Sequence, residues 1–581
     1  MAFFDSAVIL LYFVVVVGLG FWYQRRAAQN LDAYFLGNKS MPWLMLAMSG
    51  SVSNFDITGT MWICSMLFLM GMRSMWIHWM WGWMMGAFFL AYMGKWVRRS
   101  NVMTGAEWMI TRFGSGAGGT VARMAAALIA VVTMSGMIGY AFQGIGKFAH
   151  VYVPAFSAHQ LALAIIGTTT LYVLLGGLYS VVVTDVIQTV IVTLASIIIA
   201  VVAYVHLTPD ALSAALPADW TSLVPKWRLP EFAGTENAGY ELFGALVIVW
   251  VAKGVLLNLG GPGGMYEFQR FLAARNPRDA AKIGAAWGVF MIVRWALCMG
   301  VTLLALVAIK DVSDPEQVMP VVLHEYLPVG LKGIVMAGLL AAFMSTFSST
   351  VNSGASYLVR DFWQPFIRPN ASEKHLVRAS YVATVGVVIF GIAIGLQAKS
   401  IAQIWEWLMT ALGAGVIMPN VLRWYWWRMN GWGYAAGTIV GMLLAFVPLF
   451  TADAPPMYVV FPPIAVGSLI ACIIGTLVTP AVDDDTLRRF YMRVRPFGAW
   501  RHIRDEIESA GETARPRSER PGLAVLNTVL GMIAITCAYL SPMFLIGHWH
   551  GRALVGLVIG FAAVAALAVT WYPNLPSPDE Q

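Results

Sequence analysis

Apolar stretches of about 20 residues follow one another almost without pause along this chain, and that feature decides most of what it can become. They run at roughly 4–24, 43–71, 74–97, 120–150, 157–177, 180–206, 241–262, 281–310, 331–360, 376–397, 400–424, 431–451, 457–478, 521–541 and 551–573, about fifteen spans in all. In lipid, segments of this length must satisfy their backbone groups internally, which favours helices over open sheets. Charged residues make up 12% of the 581 residues and hydrophobic ones 59%, whereas a water-soluble chain carries about 25% charged. The reading is an all-α polytopic membrane protein. The formal charge of +7 comes from basic residues in short loops between apolar runs. It is a topology signal and does not call for nucleic acid. Cys64, Cys298, Cys472 and Cys537 lie inside apolar runs, with neither metal nor disulfide spacing. The first run ends in Arg25-Arg26 without a small-residue cleavage site, so it reads as a retained span.

The basic loops are Arg25-Arg26, Lys95/Arg98/Arg99, Arg270/Arg275/Arg278, Arg360/Arg368/Lys374/Arg378 and Arg423/Arg428. All fall on one side if the N-terminus is outside, and the positive-inside rule makes that side cytoplasmic. The expected location is the cell membrane, multi-pass. Segment 479–520 is the one sizeable polar stretch. It reads as a solvated cytoplasmic linker, with an interfacial helix over Leu487–Val494 and a disordered part. Trp76, Trp83 and the run Arg423–Arg428 read as aromatic belts at the membrane surface.

Three places break the apolar pattern. Gly338–Asp361 is rich in hydroxyls, Ser345, Thr346, Ser348, Ser349, Thr350 and Ser353 among them, and Ala342, Ser345, Thr346 and Ser349 share one helical face. Neutral oxygens on one face suit a small hard cation, although small residues also serve close helix packing. Ser49–Gly59 interrupts the second span, and Asn258–Gly264 ends the seventh. Two broken helices in corresponding positions of two halves are the mark of an inverted-repeat transporter. Asp185 stands near the start of its span, where an acid caps a helix or supplies charge to a cation site.

Gly176–Gln188, GGLYSVVVTDVIQ, resembles the signature of the sodium:solute symporter family. Four other stretches agree in order: Asp32–Trp43, Ser49–Gly59, Gln269–Arg275 (QRFLAAR) and Ala341–Ser349 (AAFMSTFSS). The resemblance covers about residues 1–430. It implies the leucine-transporter fold, with two inverted five-helix repeats, one extra N-terminal helix and about four C-terminal helices. The expected division is a transporter domain over 1–478, the linker 479–520, membrane helices at 521–573 and a tail at 574–581. Within the transporter domain it gives the extra helix at 1–26, repeats at 43–206 and 241–424, and peripheral helices at 431–478.

By position, the resemblance implies a sodium site made of the Val52, Phe55 and Ala342 carbonyls and the Ser345 and Thr346 hydroxyls. A second sodium, as some members hold, would use Asp185, Ser345, Ser348 and Ser349. Solute candidates near the midplane are Asp56, Gly59, Trp62, His78, Gln143, Lys253, Asn258, Arg294 and Gln403, with Thr58, Trp79 and Glu406 beside them. The positions matching the family's sugar-binding pair read Gly59 and Gly264, a departure from the sugar pattern. Lys253 and Arg294 are costly in lipid unless paired, and structural pairing is the favoured reading. The implied function is sodium-coupled import of a small polar organic solute by alternating access. A sugar or sugar derivative is favoured, a carboxylate or amino acid comes second, and a transporter-like sensor is a more distant reading. Na⁺ is the only metal expected, and no cofactor is. The expected partners are the solute, Na⁺ and the bilayer. No paired acids, nucleophile elbow, phosphate loop or metal cluster suggests an enzyme.

Overall fold

The computed structural model describes the chain except for residues 1–2, 28–29, 79–82, 236, 262–266, 310–313, 399, 409–412, 451–454, 512–518 and 581. Trp79 and residues 262–264 of the second expected break, Gly264 among them, therefore lie outside the described residues. Helices carry the fold, and no strand occurs among the described residues, only a lone bridge between Trp426 and Ala499.

The first half contains α1 (Phe3–Ala27), α2 (Trp43–Asn54), α3 (Ile57–Met70), α4 (83–100, with a π-turn at Phe89–Met93), α5 (Ala117–Tyr152) and α6 (Ala158–His206). The next part contains α7 (Phe243–Gly260), α8 (Glu267–Leu272), α9 (Pro277–Phe290), α10 (Ile292–Ala308), α11 (Leu331–Tyr357), α12 (Glu373–Gln397), α13 (Ile401–Leu408) and α14 (Ile417–Tyr425). Then come α15 (Gly431–Phe446), α16 (Met457–Leu477), α17 (Asp484–Val494), α18 (Arg501–Ser509), α19 (Pro521–Ile546) and α20 (His550–Thr570). Among the described residues, 10 helical segments are long and apolar enough to cross a membrane. The apolar runs expected separately at 157–177 and 180–206 join in the single α6. Gly176 and Gly177 weaken a helix but keep their N–H groups, so they do not cut its hydrogen-bond ladder.

The first break lies where the sequence puts it. α2 stops at Asn54, where the Phe55 N–H turns back to the Val52 carbonyl. Asp56 then caps α3, its Oδ1 accepting from Gly59 N at 2.7 Å. A short acid that bonds the backbone just ahead competes with the helix ladder and starts a new helix instead. α7 ends at Gly260, and Gly261 takes φ +69°, a left-handed turn that suits glycine.

α11 is the axis of the bundle. Every residue from Val335 to Tyr357 is buried. Its small residues allow close approach: a Cβ on Gly338 would lie 2.8 Å from the Ala195 Cβ of α6. α1 is fastened to the start of α11 by Asp5, whose Oδ1 accepts from Gly330 N and Gly333 N, each at 2.8 Å. This satisfies N–H groups that a helix start leaves unpaired.

One stripe of the polar segment 479–520 packs against the bundle, while its helix α18 is largely exposed and residues 512–518, in the part expected to be disordered, lie outside the described residues. α17 buries Leu487, Phe490, Tyr491 and Val494, spaced as one helical stripe. The Phe490 ring meets Trp108 at 5.5 Å between centroids. Phe497 lies between Tyr92 and Trp96 of α4 (4.8 and 4.7 Å) and Tyr425 of α14 (5.7 Å). Trp500 Nε1 donates to the Trp424 carbonyl at 2.7 Å. The buried guanidinium of Arg99 pairs with Glu519 and with Glu580, the latter at 2.7 Å.

Candidate ion and solute sites

Of the oxygens expected to hold sodium, the Thr346 hydroxyl is the one that bonds the end of α2 at the first break. Thr346 Oγ1 lies 2.6 Å from the Ser53 carbonyl and 3.1 Å from the Ala342 carbonyl. Val52, Phe55, Ala342 and Ser345 are all buried beside them. Ser345 Oγ is buried and makes no hydrogen bond to any described residue. A buried hydroxyl with idle lone pairs, next to carbonyls at a helix interruption, fits a small monovalent cation. The carbonyl that Thr346 reaches is that of Ser53, one residue beyond Val52. The register of the break, which sequence alone leaves loose by a residue, decides this.

The constellation expected to hold a second sodium contains a guanidinium. Arg270, wholly buried, places Nη2 3.6 Å from Asp185 Oδ2 and donates to Ser349 Oγ. Its Nε donates to Ser49 Oγ at 3.2 Å, and Ser49 donates in turn to Asp185. Ser348 Oγ turns to the Ser345 carbonyl of its own helix at 3.1 Å. Sequence reading took Arg270 for a loop charge, and only its place in the QRFLAAR stretch set it apart.

The solute candidates separate into groups. Arg294 fixes the break: it donates to the Asn54 carbonyl (2.7 Å), the Asp56 carbonyl (3.3 Å) and Thr60 Oγ1 (3.0 Å), with the Asp56 carboxylate 3.9 Å away. Structural pairing, expected for Arg294, describes what it does. Gly59 joins the same turn through its N–H. Trp62 of α3 is the centre of an aromatic wall, with His78 at 4.9 Å, Trp405 at 5.9 Å and Trp250 at 6.1 Å between centroids. Lys253 Nζ lies over the Trp250 ring at 4.2 Å, a cation–π contact. His78 is buried, with neither ring nitrogen bonded to a described residue.

Other candidates are engaged elsewhere. Gln143 Nε2 donates to the Gly395 and Ala398 carbonyls, closing the end of α12. Asn258 Nδ2 donates to the Gly254 carbonyl within α7 at 2.8 Å. Gln403 is exposed at the start of α13.

Two sets of residues escaped the sequence reading. Arg423 and Trp424 are buried rather than in a surface belt. Trp424 Nε1 donates to the Gly260 carbonyl at 2.8 Å, and Arg423 Nη2 donates to the same oxygen at 3.3 Å. They serve the carbonyl of Gly260, the last residue of α7. Glu267, the first residue of α8, is 2% exposed, and its Oε1 accepts from Asn54 Nδ2 at 3.3 Å. This bond ties the two broken helices together. The signal available in sequence was an acid directly after a glycine-rich interruption.

A family model described as the sodium:solute symporter family matches residues 34–441. An osmoregulated proline transporter of Bacillus subtilis (strain 168) is 23% identical over 508 residues, covering 83% of this chain and 96% of that one. A sodium/proline symporter of Haemophilus influenzae is 27% identical over 487 residues, covering 79% and 92%. Among solved structures, a Na⁺-coupled sialic acid symporter in a substrate-bound, outward-open state superposes with a TM-score of 0.65. Its identity is 16%, and the match covers 83% of this chain and 99% of that one.

Proposed function

The chain belongs to the sodium:solute symporter family, and from that premise we propose that it carries one Na⁺ per solute through the site at Ser345 and Thr346. It is a multi-pass membrane transporter with the leucine-transporter fold, not an enzyme. The observation that carries the one-ion reading is the contrast between the two oxygen clusters. The Val52, Phe55, Ala342, Ser345 and Thr346 cluster, joined by the Ser53 carbonyl, is built from carbonyl and hydroxyl oxygens, with the Asp185 carboxylate within reach of Ser345. The Asp185, Ser348 and Ser349 cluster already has Arg270 as its cation.

In this reading the repeats are 43–206 and 241–424, and the basic face is cytoplasmic in a cell membrane, with the N-terminus outside. Na⁺ binds from outside, solute follows, and the bundle rocks to release both. The membrane potential contributes about 2.3 kcal/mol per charge per 100 mV. The solute is a small polar organic molecule. The indole faces of Trp62, Trp250 and Trp405 support a sugar or sugar derivative lying against them. Lys253 on the same wall supports a second reading, an amino acid or other carboxylate.

The test is the thermal stability of the purified protein in Na⁺ and in K⁺, with and without sugars, amino sugars and amino acids. A ligand that binds the folded state raises its stability. Stabilisation by Na⁺ but not K⁺, abolished by Ser345→Ala, is the expected result. Equal response to the two salts would sink the sodium mechanism.

A further inference from the structure

We infer that the solute carries a positively charged nitrogen, and that the Glu267 carboxylate receives it. The inference deepens the symport reading and rests on it. Glu267 opens α8 immediately after the second break, and its one side-chain partner among the described residues, Asn54, is the last residue of α2 before the first break. The carboxylate therefore stands where two interrupted helices meet. That is where transporters of this architecture leave backbone unwound around a cargo.

Its bonding is incomplete. Oε1 accepts from Asn54, while Oε2 is buried and accepts from no described residue. A buried carboxylate with an empty oxygen is costly to keep, and it is retained where something supplies the missing positive donor. The arginines nearest the breaks donate to other groups, although the Arg270 charge acts on Glu267 through space. Arg270, on the same short helix, is turned to Asp185, Ser49 and Ser349. Arg294 is turned to the Asn54 and Asp56 carbonyls and to Thr60.

The other acids near the breaks are matched in the same way. Asp56 takes the Gly59 N–H and faces Arg294, and Asp185 takes Ser49 and Arg270. Glu267 is the acid at the breaks that no arginine side chain approaches within ion-pair distance among the described residues. An ammonium group presents its hydrogens to such an oxygen at short range, with a charge-assisted bond stronger than a neutral one. A neutral hydroxyl does not offset the charge. Both readings of the solute accommodate this group, as an amino sugar or as an amino acid.

The experiment uses the full-length protein in Na⁺ and pairs of compounds that differ in the nitrogen: glucosamine and glucose, proline and tetrahydrofuran-2-carboxylate. Binding is read by calorimetry and by thermal shift. The expected result is that, within at least one pair, only the nitrogen-bearing member binds. Glu267→Gln, which keeps the Asn54 bond, raises its dissociation constant at least tenfold, and Glu267→Asp gives a smaller rise. Binding confined to uncharged or purely anionic compounds, or absent throughout, overturns the inference. So does a Glu267→Gln protein that binds the nitrogen-bearing compound within twofold of the parent. The solute-free stabilisation by Na⁺ over K⁺ is followed in every variant. If it persists while the pairs fail, the solute assignment falls and the symport reading stands. If it is missing in the parent protein, the symport reading itself falls.

Discussion

α11 carries two oxygen clusters about one turn apart, and they differ in what the neighbouring helices bring to them. At Ala342, Ser345 and Thr346, the broken end of α2 supplies the Ser53 carbonyl, and the Asp185 carboxylate of α6 reaches Ser345. At Ser348 and Ser349, α8 supplies Arg270 and α6 supplies Asp185. A ladder of hydroxyls is therefore not a cation site in itself. Whether it has room for an ion depends on whether a cation is already built in from across the interface.

The comparison is broken most severely by Arg270→Ala. Removing one partner of a buried ion pair costs about 3–5 kcal/mol, because the other charge stays buried and uncompensated. Detergent-solubilised Arg270→Ala should melt far below the parent, and adding Asp185→Asn should restore part of the loss. Strict additivity of the two changes would show that they do not interact. Ser349→Ala removes one acceptor from the guanidinium and should cost about 1–3 kcal/mol in the same melting measurement. Na⁺ should still stabilise that variant, since the first cluster is intact.

Thr346→Ala reverses the pattern. Its fold should hold, while Na⁺ affinity, read by titrating thermal stability or Na⁺-driven uptake, falls at least tenfold, equivalent to about 1.4 kcal/mol. Thr346→Ser should retain most of the affinity. Ser348→Ala is the smallest change, because its hydroxyl donates within its own helix and otherwise meets only the neutral Tyr172 hydroxyl. Stability should move by about 0.5 kcal/mol or less, with the Na⁺ response unchanged. A large loss of Na⁺ response in Ser348→Ala would show that the second cluster binds an ion after all.

Much of this was legible in the chain. The apolar runs give the helices, Asp56 gives the first break, and the hydroxyls of α11 mark the face that meets it. The illegible part has a common physical cause, namely that a partner's location decides the meaning of a residue. Arg270 has the same sequence appearance as the loop arginines beside it, yet it is wholly buried. Arg423 and Trp424 look like a surface belt because basic and aromatic residues alternate there, yet they serve the Gly260 carbonyl. The stripe Leu487, Phe490, Tyr491 and Val494 has the spacing of a helix lying on lipid. That spacing cannot distinguish lipid from the aromatic rings of Trp108 and Trp500.

The wedge formed by Phe490, Phe497 and Trp500 also bears on how the protein is made. Its contacts on α4 and α14 are Tyr92, Trp96, Trp424 and Tyr425, and the nascent chain carries these rings long before residue 490 is synthesised. Until then they form an uncovered aromatic patch at the end of an otherwise inserted bundle, a surface that attracts chaperones or other nascent chains. The family match ends at residue 441, before the wedge begins. A chain stopped at residue 478 should therefore insert its transport core and still aggregate, and supplying 479–581 as a separate polypeptide should rescue it.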